Sequence, residues 1–472
     1  MWALIFGLII FAQPASADTV LRPPTDTLAN RLVTVNRVII IGNKKTRERI
    51  ISRELSLKPG DTISMQRMDL ILQKDQQRIY NLRLFNTVSV RWLEINSGMA
   101  DLLIEVNERW YLFPTLIFEL SDRNFNEWWE NYNHDISRIN YGLRLTQFNF
   151  RGRNETLRFT AQFGFTRRFE LSYRIPYIDR NQKHGLSFSF TYNEPKNLAY
   201  QTVDHQLEFQ EGRETLKKGM GYGITYTFRK SFYESHSFSF GYADNTVSDS
   251  IAFLNSNYYS EGGNNQKYAA ITYSFNSEHR DVIAYPLKGY QVTAFIQQAG
   301  LGFSDVNQWE TNLTYAKYWD LKKNYYLSNF SSVYISTPNE QPYSMFSALG
   351  YRRQLVKGYE VYVIEGPKFF LNKTTFRKKI FSRTWDLNDM PLEQFRYFPL
   401  TIYLKSYVDL GYVENYPYYE ARDLNTRLSD KLLAGAGAGI DIVTAYDAVL
   451  RFEYTFTREK TQGFFFHMKK EF

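Results

Sequence analysis

The stretch Tyr351–Glu360, YRRQLVKGYE, holds the residue types in this chain most suited to a directed interaction: a cationic run that turns on one glycine beside a tyrosine. Lys357 offers a mobile point charge, Gly358 a backbone free to turn left-handed or approach closely, and Tyr359 a ring with a polar end. Further on, Tyr403, Lys405, Tyr407, Asp409 and Gly411 share one parity of a strand-like segment. Leu404, Val408, Leu410 and Tyr412 share the other, which turns Asp409 away from the oily face. Covalent and metal chemistry find no comparable group. There are no cysteines, which excludes thiolate catalysis, disulfides and a lipidated N-terminal cysteine. The six histidines, His134, His184, His205, His236, His279 and His467, lack ligand spacing, and neither G-x-S-x-G nor H-E-x-x-H occurs. Asn133-His134-Asp135 reads as a turn. The expectation is no enzyme: no catalytic residue, no metal and no cofactor.

The elements that would position these residues follow from composition and period. Tyr 36, Phe 37 and Trp 8 make 17% of the 472 residues, more than a soluble core needs. The mean hydropathy of −0.44 excludes a bundle of apolar spans. Aromatic richness with a polar average is what alternating strands give when one face meets lipid and the other water. The net charge of +8 comes from 57 basic residues interspersed with 49 acidic ones. A nucleic-acid reader gathers its cations on one face, so nucleic acid is not an expected partner.

Residues 1–17, MWALIFGLIIFAQPASA, read as a secretory signal peptide ending in a small-residue site, and residues 18–31 as a polar, Pro-containing tether. Residues 32–108 carry the pattern strand, helix, helix, strand, strand. A β-branched run, Val33–Ile41, stops at Gly42-Asn43. Thr46 and Ser64 stand as helix caps, Met68, Ile71, Leu72 and Ile79 keep a helical period, and 85–95 and 100–106 alternate around Asn96-Ser97-Gly98. Such an α+β domain presents a sheet edge that can accept a further strand.

From Trp110 the period is two. Leu157, Phe159, Ala161, Phe163 and Phe165 alternate with Arg158, Thr160, Gln162 and Gly164; Leu450, Phe452, Tyr454 and Phe456 alternate with Val449, Arg451, Glu453 and Thr455. Segments of the length that a tilted membrane strand needs recur through 109–472, giving a transmembrane antiparallel β-barrel of about 16 strands. The spacing leaves 194–217 open to an extra hairpin. It also leaves about 337–366, which holds Lys357-Gly358-Tyr359, as an interruption too long for a turn.

Several segments resemble the BamA/TamA-type insertase superfamily, also called bacterial surface antigens. VNRVIIIGNKKTRERIISREL, LKPGD and RIYNLRLFNTVSVR resemble a single POTRA domain. GLRLTQFNFRGRNETLRF, ELSYRIPYI, HRDVIAYPLKGYQVTAF, VKGYE, YVDLG and AGIDIVTAYDAVLRFEYTF resemble barrel segments of that superfamily in their usual order. The resemblance implies that VKGYE stands where relatives have an Arg-Gly-aromatic tip, so that Lys357-Gly358-Tyr359 would be the tip of a long loop, about 337–366, folded back into the barrel. Lys357 would then pair with the lumenal Asp409 near Gly411. Lysine in place of arginine gives up bidentate geometry. Relatives often add a second acid from the preceding strand, yet PKFFLNKTTFRKKI at 367–380 contains none.

The resemblance further implies a bacterial outer-membrane assembly, insertion or translocation factor with its POTRA-like domain in the periplasm. Its expected partners are the outer-membrane bilayer, unfolded outer-membrane or secreted client proteins, and possible accessory assembly subunits. Clients would add at the POTRA edge and at a lateral seam between the first and last barrel strands, marked by Pro114, Phe464, Phe466 and Phe472. No nucleotide or metal is called for, because closing a client barrel satisfies backbone groups that are costly when unpaired in lipid. The alternative is a passive outer-membrane channel or structural barrel.

Overall fold

The structure, a computed structural model, describes residues 31–96, 98–120, 136–212, 214–302, 304–350, 354–387 and 390–469. The expected signal (1–17), the expected tether (18–31) except Arg31, the trio Asn133-His134-Asp135, the basic stretch Tyr351–Arg353 and Phe472 lie outside them.

The first unit is built on β1 (Leu32–Ile41), α1 (Glu48–Ser52), β2 (Thr62–Ser64), α2 (Met65–Tyr80), β3 (Phe85–Asn96) and β4 (Met99–Glu108). Its sheet runs β2-β1-β4-β3, with β1 and β4 parallel. Met68, Leu72 and Ile79 of α2 are buried against Val33, Val35, Phe85, Leu102 and Ile104. Each such side chain contributes roughly 1.5–3 kcal/mol of burial. One cap expectation fails: α1 begins at Glu48, and the Thr46 hydroxyl is drawn instead to Glu108 Oε1 at 2.6 Å. Ser64 precedes α2 but makes no side-chain capping bond. The short β2 covers the β1 edge, so β3 is the long strand left with one neighbour.

The second unit is a 16-stranded antiparallel sheet. Its strands begin with β5 (Leu112–Leu120), β6 (Ile139–Phe150), β7 (Glu155–Gly164), β8 (Arg167–Ile175) and β9 (His184–Glu194). A separate hairpin, β10 (Asn197–Val203) with β11 (Gln206–Glu211), fills the 194–217 interval. The sheet resumes with β12 (Lys217–Arg229), β13 (Glu234–Val247), β14 (Asn265–Glu278), β15 (Gly289–Ala299), β16 (Gln308–Asp320) and β17 (Tyr325–Thr337). After the small pair β18 (Ala348–Leu349) and β19 (Ile364–Glu365) it ends with β20 (Lys368–Asp386), β21 (Tyr397–Glu414), β22 (Leu433–Thr444), β23 (Val449–Thr457) and β24 (Gln462–Lys469).

The two faces separate as the alternation requires. Phe159, Phe163, Tyr454 and Phe456 are exposed on the outside, while Thr160, Gln162, Glu453 and Thr455 are buried inside. Phe165 departs from its expected face: Gly164, at φ +102, ends β7, and Phe165 is buried with the Arg138 guanidinium 4.9 Å over its ring.

The α+β unit is docked on the turns at one end of the barrel. Arg229 at the end of β12 donates to Glu54 Oε1 and Oε2 at 2.6 and 2.8 Å. Asn86 Nδ2 donates to Gln394 O at 2.7 Å, Asn81 Nδ2 to Asp281 O at 3.0 Å, and Arg47 N to Gly152 O at 2.9 Å. At the opposite end, β10–β11 reaches the β21–β22 connection, where Asn425 Nδ2 donates to Thr202 O at 2.8 Å and Arg427 pairs with Asp204 at 2.7 Å.

Candidate functional site: the inward loop tip and the strand seam

The loop between β17 and β20 carries the tip expected from the sequence. Val356 and Tyr359 are buried, together with Leu349, Ile364, Phe369, Leu371, Val413 and Leu433. Gly358 has φ +91, and a Cβ there would sit 2.4 Å from Thr457 Cγ2 and 3.1 Å from Thr455 Cγ2. The tip therefore needs glycine twice over, for its left-handed backbone and for its approach to β23. The wall makes room in turn. A Cβ on Gly411 would lie 2.5 Å from Val356 Cγ2, and one on Gly435 only 1.9 Å from the Lys357 carbonyl oxygen. Tyr359 Oη donates to Glu459 and lies 3.4 Å from Ala434 O, so β21, β22 and β23 together form the seat.

The charge pairing differs from expectation. Asp409 is fully buried and does face the tip, but it accepts the main-chain N–H of Lys357 at 3.3 Å, and the ammonium beside it is Lys373, at 3.6 Å. The Lys357 ammonium reaches Glu453 Oε1 on β23 at 3.0 Å and stands 3.7 Å over the Tyr407 ring. Glu453 also holds Lys405 at 2.8 Å, and Lys405 in turn meets Asp441. A second acid is thus present, on β23 and not on β20. The alternation of Val449, Arg451, Glu453 and Thr455 placed Glu453 inside. What the sequence did not carry was the depth and lean of the tip, which bring Lys357 toward β22 and β23. The arrangement suits a lysine: a compact ammonium can share one carboxylate with Lys405 and rest on an aromatic face without a guanidinium's planar fork.

The tip also touches the last strand. His467 on the inner face of β24 stands 3.6 Å from Glu453 Oε2 and 3.7 Å from Glu360 Oε1. On the outer face of β24, Phe464 and Phe466 are exposed, the Phe466 ring lying tilted 5.0 Å from that of Phe452 on β23. Across the seam, β5 presents Pro114 opposite Leu145 of β6, with Leu116 and Phe118 exposed at 83% and 75%. The sheet order runs from β24 at one end to β5 at the other, and among the described residues no ladder joins those two. Arg109, just before β5, is buried in an ion pair with Asp447 of the β22–β23 turn at 2.9 Å, which ties the base of β5 beneath the neighbouring strands.

Residues 149–472 match the Omp85 superfamily domain. The chain belongs to the Omp85 superfamily. Residues 33–109 match the POTRA family, described as the surface antigen variable number repeat, so this Omp85 chain carries one POTRA domain ahead of its barrel. Among solved structures it resembles BamA from Haemophilus ducreyi lacking POTRA domains 1–3, at 14% identity over 93% of this chain and 85% of that one, with TM-score 0.51. It also resembles CdiB from Escherichia coli, at 9% identity over 92% of this chain and 76% of that one, with TM-score 0.53. At such identities the likeness is one of fold. No curated protein sequence matches the chain. Omp85 membership carries with it a general role in outer-membrane insertion or translocation.

Proposed function

We propose that this Omp85 chain passes client polypeptide into or across a bacterial outer membrane, using two edges in sequence. The POTRA domain, in the periplasm behind a cleaved leader (1–17) and a tether (18–31), takes an extended client segment along β3. The barrel then receives it at the β5–β24 seam, where an incoming strand satisfies main-chain groups that lipid cannot. The observation that carries this reading is the unlaced seam: every other adjacent pair of barrel strands is joined by a ladder, and β5 and β24 are not, among the described residues. Pro114 removes one donor from β5.

In this reading the loop tip is a tether. Lys357, Gly358 and Tyr359 hold the loop against β21–β23 through Asp409, Glu453 and Gly411. His467 links that clamp to the seam strand. Clients are unfolded outer-membrane or secreted proteins, with accessory subunits as further partners. A passive channel would use neither the seam nor the POTRA edge.

Because the chain has no cysteine, pairs introduced across β5 and β24 would report on the seam alone. Cross-linking should stop client insertion in reconstituted vesicles, and reduction should restore it. Full activity with a completely cross-linked seam would rule out lateral delivery.

A further inference from the structure

At the barrel end that bears the POTRA domain, β20 of the β20–β21 hairpin outruns β17, while β21 stays laddered to β22 as far as Leu400. β17 makes its last pairing there at Tyr325, opposite Lys378, yet β20 continues to Asp386 with β21 alone as partner. Residues Ile380–Thr384 are all exposed, so the β20 edge here is uncovered on its β17 side. A bulge between Lys379 and Phe381 resets the register. Beyond it Phe381, Arg383 and Trp385 stand opposite Ile402, Leu400 and Phe398, while Ser382, Thr384 and Asp386 stand opposite Thr401, Pro399 and Tyr397. The first face is aromatic and apolar apart from Arg383, and the second carries Ser382, Thr384, Asp386 and Thr401 beside Pro399 and Tyr397.

The aromatic face continues up β21 into exposed Leu404, Val408 and Tyr412, on the side away from buried Lys405 and Asp409. It is therefore a prolongation of the barrel's lipid-facing surface past the rim. Cations gather along it. Lys378 Nζ lies 5.1 Å over Tyr325, and the Arg383 guanidinium 5.5 Å over Trp385. Lys379 stands opposite Tyr403, on the inner face, and only its main chain serves this surface: its N–H donates to Asn324 O at 2.9 Å, joining the turn that holds Lys323 to the base of the hairpin. Among the described residues, no carboxylate lies in ion-pair range of Lys323, Lys378, Lys379 or Arg383.

We propose that this hairpin is a docking surface for anionic phospholipid in the leaflet on the POTRA side. Phe381, Trp385 and Phe398 enter the boundary between headgroups and acyl chains, and the cations meet phosphate. Aromatic rings with Lys and Arg are the composition of a membrane interface, and a negative leaflet attracts such cations within a Debye length. The free edge of β20 could also offer main-chain groups to a strand, but cationic side chains along an edge discourage pairing. Continuity with the lipid-facing surface favours the membrane.

The test uses the full chain with a single nitroxide at Phe381→Cys or Ser382→Cys, reconstituted in phosphatidylcholine vesicles with or without phosphatidylglycerol. The label at 381 should show bilayer depth, deepen with phosphatidylglycerol, and contrast with a water-exposed label at 382. Replacing Lys378 and Arg383 together by Gln should abolish the phosphatidylglycerol dependence and weaken retention of that lipid by about fivefold per charge. Phe398→Cys repeats the depth measurement from the facing strand if position 381 impairs folding. Equal water exposure of both faces overturns the proposal, as does immersion indifferent to lipid charge and to the double replacement. Immersion seen only when a polypeptide is supplied overturns it in favour of a strand partner.

Discussion

The Lys357 ammonium and Glu453 Oε1 lie 3.0 Å apart, and the same carboxylate oxygen holds Lys405 at 2.8 Å. Sharing makes the two ends of the contact unequal. Lys357→Ala leaves Glu453 paired with Lys405, so the barrel keeps a compensated interior and loses mainly the tether. Glu453→Gln takes from the half-buried Lys357 the carboxylate it reaches and leaves buried Lys405 with Asp441 alone, and a buried charge that loses a partner costs about 3 kcal/mol. Urea titration of the folded, heat-modifiable barrel should therefore place Glu453→Gln well below Lys357→Ala in stability. Both variants should lose client insertion and expose the loop to protease. Equal stability losses would mean that the carboxylate is not shared.

Gly358 tests the seat independently of charge. Gly358→Ala places a methyl 2.4 Å from Thr457 Cγ2 on a backbone at φ +91, and strain of this kind costs about 1–3 kcal/mol. The expected outcome is a folded barrel with a lifted tip, read as faster trypsin cleavage after Lys357. Adding Thr457→Ser removes the nearest clashing methyl but not the φ strain, so rescue should be partial. Complete rescue would show that the backbone conformation at Gly358 carries no penalty.

The sequence disclosed walls more readily than seats. Strand positions were legible because the period of two is local: Glu453 and Asp409 could each be placed inside from their own neighbours. Which of them Lys357 would meet was not legible. That depends on Gly435 letting the Lys357 carbonyl come close to β22, a contact between residues far apart in the chain. Thr46 shows the same limit in the POTRA domain. It has the right type and place for a cap, yet Glu108, beyond the far end of the domain's sequence pattern, takes its hydroxyl and main-chain N–H. The β10–β11 hairpin was visible only as an interval that could hold one. Its attachment to the β21–β22 connection depends on His205 and Asn425, neither of which belongs to a periodic pattern.

Glu54 is buried at the contact between domain and barrel, and the Arg229 guanidinium binds both its oxygens. Glu54→Gln keeps the shape but loses charge-assisted bonds, which are about twice as strong as neutral ones. Spin labels placed on α2 and on the β14–β15 turn should report a broader distance distribution in the variant, with the POTRA core still folded. An unchanged distribution would assign the docking to the main-chain contacts at Gly152 and Gln394 instead.

His205 gives the opposite end of the barrel a pH dependence whose sign is fixed by its bonding. Its ring is fully buried and accepts the Leu428 N–H at Nε2, 2.9 Å away, while its own N–H and C=O meet Asn425 and Val363. Burial, with Arg427 adding to it, pushes the imidazole down from 6.5 to about 4. Asp204 on the hairpin opposes that shift and Lys431 on the facing connection reinforces it. The undocked hairpin therefore takes up a proton below about pH 6.5 that the docked one refuses until about pH 4. Docking is at full strength above pH 6.5 and weakens as the pH falls toward 4, by at most about 3 kcal/mol. Hydrogen exchange at the Leu428 amide, corrected for its intrinsic rate, should be slow at pH 7.5 and markedly faster at pH 5. His205→Gln should remove that difference while retaining an acceptor near the amide. Equal protection of Leu428 at both pH values in the unaltered chain would sink the assignment.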